Sequence, residues 1–112
     1  MTATMDKAWV DIGPVDAVPI LGSRIVRTAV GCIAVFRTGP SEAYAIDDAC
    51  PHKSGPLSEG IVHGKSVTCP LHNWVIDLET GCALGADEGR VRTYPLRIEN
   101  GRLLIDGTCL RP

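Results

Sequence analysis

The chain reads as all-β, an antiparallel β-sandwich base with a small inserted subdomain. Three observations predict this. Twelve Gly and eight Pro are spread through 112 residues, which interrupts any helical pattern. Short apolar segments recur at spacings of roughly 8–12 residues with turn residues between them, as in sandwiches and barrels. Near the C-terminus, Asn100-Gly101 separates two alternating apolar runs. Asn-Gly is the strongest short hairpin signal because both central turn positions need φ > 0.

In chain order, the apolar patterning places strands at Ala8–Ile12, Arg24–Thr28, Ile33–Arg37 and Ala43–Asp47. Ile61–Val62 and Lys65–Thr68 follow, joined by a turn at His63-Gly64, and then Trp74–Leu78. The last hairpin runs Tyr94–Ile98, turns at Glu99-Asn100-Gly101 and returns over Arg102–Ile105. No repeat, low-complexity tract or linker interrupts this order. A chain of 112 residues makes one domain, able to bury roughly two-thirds of its unfolded surface. The subdomain is expected over about 48–90, between β-rich flanks.

Composition excludes several function classes. Apolar residues make up 45% and charged residues 21%, an ordinary globular mix. A net charge of −2 argues against general affinity for nucleic acid or anionic membranes. The longest apolar run, Ala29 to Phe36, is strand-sized, far short of the ~20 residues of a spanning helix. Met1 to Lys7 lacks the apolar core of a signal peptide. A soluble cytoplasmic protein is expected.

The chemistry concentrates in two short motifs, Cys50-Pro-His52 and Cys69-Pro-Leu-His72. Each puts one thiol and one imidazole on one loop, with a Pro after the Cys to stiffen the turn. Two Cys on one iron and two His on the other are the ligands of a Rieske [2Fe–2S] centre. Cys50, His52, Cys69 and His72 are therefore the expected metal and cofactor ligands. Tetrahedral zinc is the alternative for two Cys and two His. Zinc modules usually pair like ligands locally, whereas both pairs here are mixed, which suits two irons reached from both loops. A nucleophilic Cys–His pair is a further reading, but it leaves the duplication unexplained.

The other cysteines read as bystanders. Cys32 sits in an apolar stretch and is expected in the core. Cys82 follows Glu79-Thr80-Gly81 as a turn residue, and Cys109 lies in the tail. An odd count of five does not form a secreted disulfide framework. His63 is expected as an exposed turn residue. Asp87, Glu88, Arg90 and Arg92 form a charged run after the second motif, with the arginines as candidate docking contacts. Gly55, Gly60, Gly81, Gly85 and Gly89 would let backbone approach the metal site closely. No dinucleotide or phosphate-loop motif is present. The chain is thus expected to carry electrons, with substrate chemistry elsewhere.

Cys50-Pro-His52-Lys-Ser-Gly-Pro-Leu-Ser-Glu-Gly60 and Cys69-Pro-Leu-His72-Asn-Trp74 resemble the two boxes of Rieske proteins. Respiratory members carry an extra Cys in each box, forming a disulfide. Gly55 and Leu71 stand there in this chain, so the resemblance is to the small ferredoxin-type proteins. Pro56–Gly60, the run from Cys69 to Gly81 and the run from Asp87 to Pro95 are similar to small subunits of NAD(P)H-dependent nitrite reductase. That likeness covers about Trp9 to Ile105, with Cys82 where a polar residue is expected. It implies an electron-transfer subunit partnered by a large subunit with flavin, an iron–sulfur cluster and siroheme, where nitrite becomes ammonium. A free Rieske ferredoxin serving an aromatic-ring dioxygenase is the alternative. A zinc-stabilised or cluster-free structural module is the alternative of another class. Asn73 and Trp74 follow His72 without a hydroxyl donor, which points to a potential near the low end of the Rieske range, roughly −150 mV.

Overall fold

The computed structural model describes residues 9–29, 31–49, 56–70, 74–84 and 89–107. Ten strands lie in it: β1 Trp9–Pro14, β2 Gly22–Thr28, β3 Gly31–Gly39, β4 Glu42–Asp47, β5 Ile61–His63, β6 Ser66–Thr68, β7 Val75–Asp77, β8 Thr93–Tyr94, β9 Leu96–Glu99 and β10 Arg102–Asp106. The helical segments among the described residues are two 3₁₀ turns, at Val15–Ala17 and Leu57–Glu59. The fold is all-β and every strand pair is antiparallel.

Three sheets form three layers. The middle sheet has the order β2-β3-β4-β8, and β1-β10-β9 and β5-β6-β7 form the other two. The run Ile33-Ala34-Val35-Phe36 in β3 explains why the middle sheet is covered on both faces. Side chains alternate across a strand, and all four are fully buried. Ile33 and Val35 join Val15, Val18, Ala45, Leu103 and Ile105 on one face. Ala34 and Phe36 join Ile46, Leu57, Val62, Val67, Cys69, Ile76, Leu78 and Val91 on the other. The first cluster packs the middle sheet on the β1-β10-β9 sheet, and the second packs it on β5-β6-β7.

Several expected boundaries move for local reasons. The expected strand Tyr94–Ile98 is two strands in two sheets. Pro95 supplies no N–H, so pairing with β4 ends at Ala45↔Tyr94. The chain then continues as β9 against β10. The β5–β6 turn falls on Gly64-Lys65 rather than His63-Gly64; Gly64 has φ +60°, which suits Gly. Trp74 and Leu78 lie outside β7. The β9–β10 turn matches its sequence signal, with Asn100 at φ +52° and Gly101 at φ +74°.

Polar contacts join the layers and tie strands together within one of them. Arg37 on β3 donates to the carbonyls of Val15 and Val18 at 3.4 and 3.1 Å, holding the first 3₁₀ turn on the sheet. Arg102 on β10 makes a two-pronged contact with Asp11 on β1, at 3.0 and 3.1 Å. This guanidinium, together with the Gly13 N–H, holds the Asp11 carboxyl below its ordinary value. At the β5–β6 tip, Lys65 reaches Glu42 on β4 at 3.7 Å. The neighbouring Tyr44, Glu42 and Glu79 hold the Lys65 ammonium above its ordinary pKa.

Candidate metal centre

Of the four expected ligands, Cys69 lies within the described residues; Cys50, His52 and His72 lie outside them. Cys69 follows directly on β6, where the short strand delivers it to the mouth of the second motif. Its residue is 1% exposed and its thiol is free of any disulfide. Its backbone N–H donates to the Trp74 carbonyl at 2.7 Å. That bond closes the segment 69–74, which in sequence contains both Cys69 and His72.

The first motif is closed differently. Asp48, just after β4, accepts from the Ser58 N–H at 2.7 Å through Oδ1 and from the Ser58 hydroxyl at 2.9 Å through Oδ2. These two residues bracket Cys50 and His52 in the chain. Asp48 is itself fixed, since its N–H donates to the Cys32 carbonyl at 3.1 Å. Ser58 is fixed from the other side, its carbonyl accepting from the Ser23 hydroxyl on β2 at 2.5 Å. The stem of the first motif is therefore tied to two strands of the middle sheet.

The two stems meet at Gly60. A Cβ on Gly60 would stand 2.3 Å from the Thr68 carbonyl oxygen and 2.8 Å from Val67 Cγ2. No side chain fits there, and Thr68 immediately precedes Cys69. The run Pro56-Leu57-Ser58-Glu59-Gly60 thus has a part for several of its members. Pro56 precedes the 3₁₀ turn, Leu57 is buried in the core, Ser58 closes the stem and Gly60 admits the second stem. Gly81 has the same function on the far side of β7. Its φ is +80° and a Cβ would lie 2.3 Å from the Val91 carbonyl oxygen.

The remaining candidates sort by position. Cys32 is exposed, not in the core. The buried run of β3 begins one residue later, at Ile33, and Cys32 contributes its carbonyl to Asp48. Cys82 is half-buried in a bridge with Arg90, and its N–H donates to the Thr80 hydroxyl at 3.2 Å, as a turn residue would. His63 is exposed, with Nε2 2.7 Å from the Thr68 hydroxyl. Arg90 and Arg92 are exposed, and the Arg92 guanidinium lies 4.9 Å from the centre of the Tyr94 ring. Asp87, Glu88, Gly55, Gly85 and Cys109 lie outside the described residues.

Asp48, Ser58 and Ser23 are the contributors that the sequence reading passes over. Short polar side chains before a loop commonly hydrogen-bond nearby backbone, but a partner ten residues away leaves no local pattern. Among the described residues no cluster of three or more His, Cys, Asp or Glu forms a competing metal site. A free thiol buried at a loop mouth, two closed stems and a glycine contact joining them suit a group held by one Cys and one His from each loop.

A family profile described as a Rieske-like [2Fe–2S] domain matches residues 8–106. The chain belongs to this family. Its cofactor is accordingly a Rieske-type [2Fe–2S] cluster, which supplies one-electron transfer when bound. The chain is a Rieske-type electron-transfer protein. It is 33% identical over 103 residues to the ferredoxin component of the naphthalene 1,2-dioxygenase system of Pseudomonas aeruginosa, covering 91% of this chain and 98% of that one. The solved structure of a Sphingomonas yanoikuyae B1 ferredoxin superposes with a TM-score of 0.78 at 27% identity, covering 96% and 100% of the two chains. A structure assigned as the small subunit of an NADH-dependent nitrite reductase from Mycobacterium tuberculosis gives a TM-score of 0.79 at 24% identity, covering 89% and 95%. At that identity the second likeness speaks for the fold alone.

No helix among the described residues is long and apolar enough to cross a membrane.

Proposed function

We propose that this chain is a mobile, cytoplasmic Rieske ferredoxin that carries single electrons from an NAD(P)H-oxidising reductase to a ring-hydroxylating oxygenase. The cluster is held by Cys50, His52, Cys69 and His72, within one domain whose cluster-bearing part spans about 48–90. The observation that carries the site is the buried free thiol of Cys69 at the junction of two closed stems. The partner rests on likeness along 91% of the chain to a dioxygenase ferredoxin component.

The nitrite reductase reading rests on the sequence likeness of Pro56–Gly60, Cys69–Gly81 and Asp87–Pro95, and a large siroheme subunit is the partner it requires. A chain-length relative at 33% identity favours the dioxygenase system over it. In either setting the isolated chain transforms no substrate. Arg90 is the candidate docking cation, since Arg92 is already stacked on Tyr94. The absence of hydroxyl donors at Asn73 and Trp74 leaves the reduced cluster less stabilised, for a potential of about −150 mV.

Anaerobic purification with iron and sulfide counts, followed by EPR of the reduced protein, tests the cluster. A colourless protein with zinc and no sulfide would refute it. Adding the chain to the purified reductase and oxygenase components of a naphthalene 1,2-dioxygenase system tests the partner. Restored naphthalene-dependent NADH oxidation is the expected result. Stoichiometric co-purification from the native host with a large siroheme protein would move the chain to nitrite reductase.

A further inference from the structure

Asp48 is not an expected ligand, yet hydrogen bonds to Ser58 and to the Cys32 carbonyl hold it at the base of the first motif. Both of its carboxylate oxygens are engaged by one residue, Ser58, through backbone and side chain at 2.7 and 2.9 Å. Charge-assisted bonds of this kind are short and roughly twice as strong as neutral ones. Asp48 and Ser58 stand on opposite sides of Cys50 and His52 in the chain, so one carboxylate fixes the distance between the two ends of that loop. The Asp48 N–H on the Cys32 carbonyl and the Ser23 hydroxyl on the Ser58 carbonyl anchor both ends to the middle sheet. The contact of Gly60 with Thr68 then carries the same reference frame to Cys69.

We propose that Asp48 is a positioning residue for the cluster: by clamping Ser58 it sets the span of the loop that bears Cys50 and His52, and with it the retention and magnetic environment of the iron. The proposal rests on the cluster reading above. Its physical basis is entropic and geometric. A loop with free ends samples many spans, and each ligand must then be ordered when the metal binds. Closing the stem beforehand removes that cost. Partners that orient metal ligands from outside the coordination sphere typically change metal affinity by about 10–100-fold.

The hydrogen-bonding pattern distinguishes a clamp from a charge. Asp48→Asn keeps a carbonyl oxygen for the Ser58 N–H, and its amide can donate to the Ser58 hydroxyl. Asp48→Ala keeps neither contact. Ser58→Ala keeps the N–H bond and removes the hydroxyl bond.

The experiment uses the purified holoprotein. Iron release to a ferrous chelator is followed by loss of visible absorbance, alongside EPR g-values of the reduced form and melting of the iron-free protein. Asp48→Ala is expected to release iron about tenfold or more faster than wild type, with shifted g-values. Asp48→Asn, whose bonds to Ser58 are neutral, should stay much closer to wild type than Asp48→Ala, and Ser58→Ala should fall between wild type and Asp48→Ala. Melting of the iron-free proteins should fall only modestly from wild type through Ser58→Ala to Asp48→Ala, as the loss of one or two hydrogen bonds requires, without the broad destabilisation that a general packing role would produce. If Asp48→Ala does not fold, Ser58→Ala carries the test by its release rate alone, and a rate equal to wild type overturns the clamp. Unchanged release and g-values in Asp48→Ala overturn it as well, as does Asp48→Asn failing as badly as Asp48→Ala. Wild type without iron would strike at the cluster reading itself. Wild type with iron and an indifferent Asp48→Ala would strike at the clamp alone.

Discussion

Both faces of the middle sheet bury apolar side chains but are covered by very different structures. On one face, β10 pairs with β1 from Trp9↔Asp106 to Pro14↔Arg102 and with β9 from Arg102↔Glu99 to Ile105↔Leu96. A type of turn encoded by Asn100-Gly101 joins two of these strands. On the other face, β5, β6 and β7 have three residues each and pair over three positions. Strands that short are marginal without further support. Small units of this kind are commonly stapled by metal. The base is held by longer paired strands and a shared core, and the cluster face is expected to depend more on what its loops bind.

The sharpest way to break this comparison is to remove the iron. Cys69→Ser should give a pale protein without cluster, as should Cys50→Ser, His52→Ala and His72→Ala, while Cys32→Ser, Cys82→Ser and Cys109→Ser stay coloured. Iron and sulfide assays check this, and a colourless Cys32→Ser with a red Cys50→Ser would reassign the site. Hydrogen exchange on the iron-free protein should then show fast exchange in β5, β6 and β7, with protection kept in β3, β4 and β10. Equal protection on both faces would show that the cluster face stands alone.

Core truncation on each face comes next. Phe36→Ala and Ile33→Ala both empty fully buried positions on β3, with expected losses of about 3–5 and 2–5 kcal/mol respectively. Phe36 faces the cluster side and Ile33 the base. Phe36→Ala should therefore also speed iron release, and Ile33→Ala should leave release unchanged in the fraction that remains folded. Chemical denaturation combined with chelator kinetics separates the two effects. Similar iron release in both would mean that the faces are coupled through the sheet.

Gly60→Ala is expected to cost about 1–3 kcal/mol for overpacking, because the added methyl meets the Thr68 carbonyl, part of the backbone, rather than a flexible side chain that could move aside. Its φ is −80°, an ordinary value for any residue, so the cost is one of space and should appear chiefly as weaker cluster retention. Gly64→Ala, at a position with open space and φ +60°, provides the contrast, with backbone strain and no loss of cluster.

The smallest effect belongs to the base. The Asp11 carboxyl is held below its ordinary value chiefly by the Arg102 hydrogen bond. A depressed folded pKa gives stability that is present above the unfolded value, near pH 4, and is lost as pH falls through the folded value. Asp11→Asn should flatten a small part of the acid limb of the stability profile without changing cluster colour. An acid limb identical to wild type would show that this exposed pair contributes nothing measurable.

Much was legible from residues alone because the signals are local. Alternating apolar runs, the Asn100-Gly101 turn and the doubled Cys–His spacing each act within a few positions. Single-sequence patterning therefore placed most strands to within a few residues and named four candidate ligands. Other features depended on residues far apart in sequence. The split at Pro95 depends on which sheet each half can pair with. The exposure of Cys32 depends on where the covering layers end, which its apolar neighbours do not reveal. The tertiary structure alone decided that Ile33 and Phe36 serve different cores, that Asp48 clamps Ser58, and that Gly60 lies against Thr68. Such contacts arise when three layers close on one another, and side-chain patterning along a strand specifies its two faces without naming what will cover them.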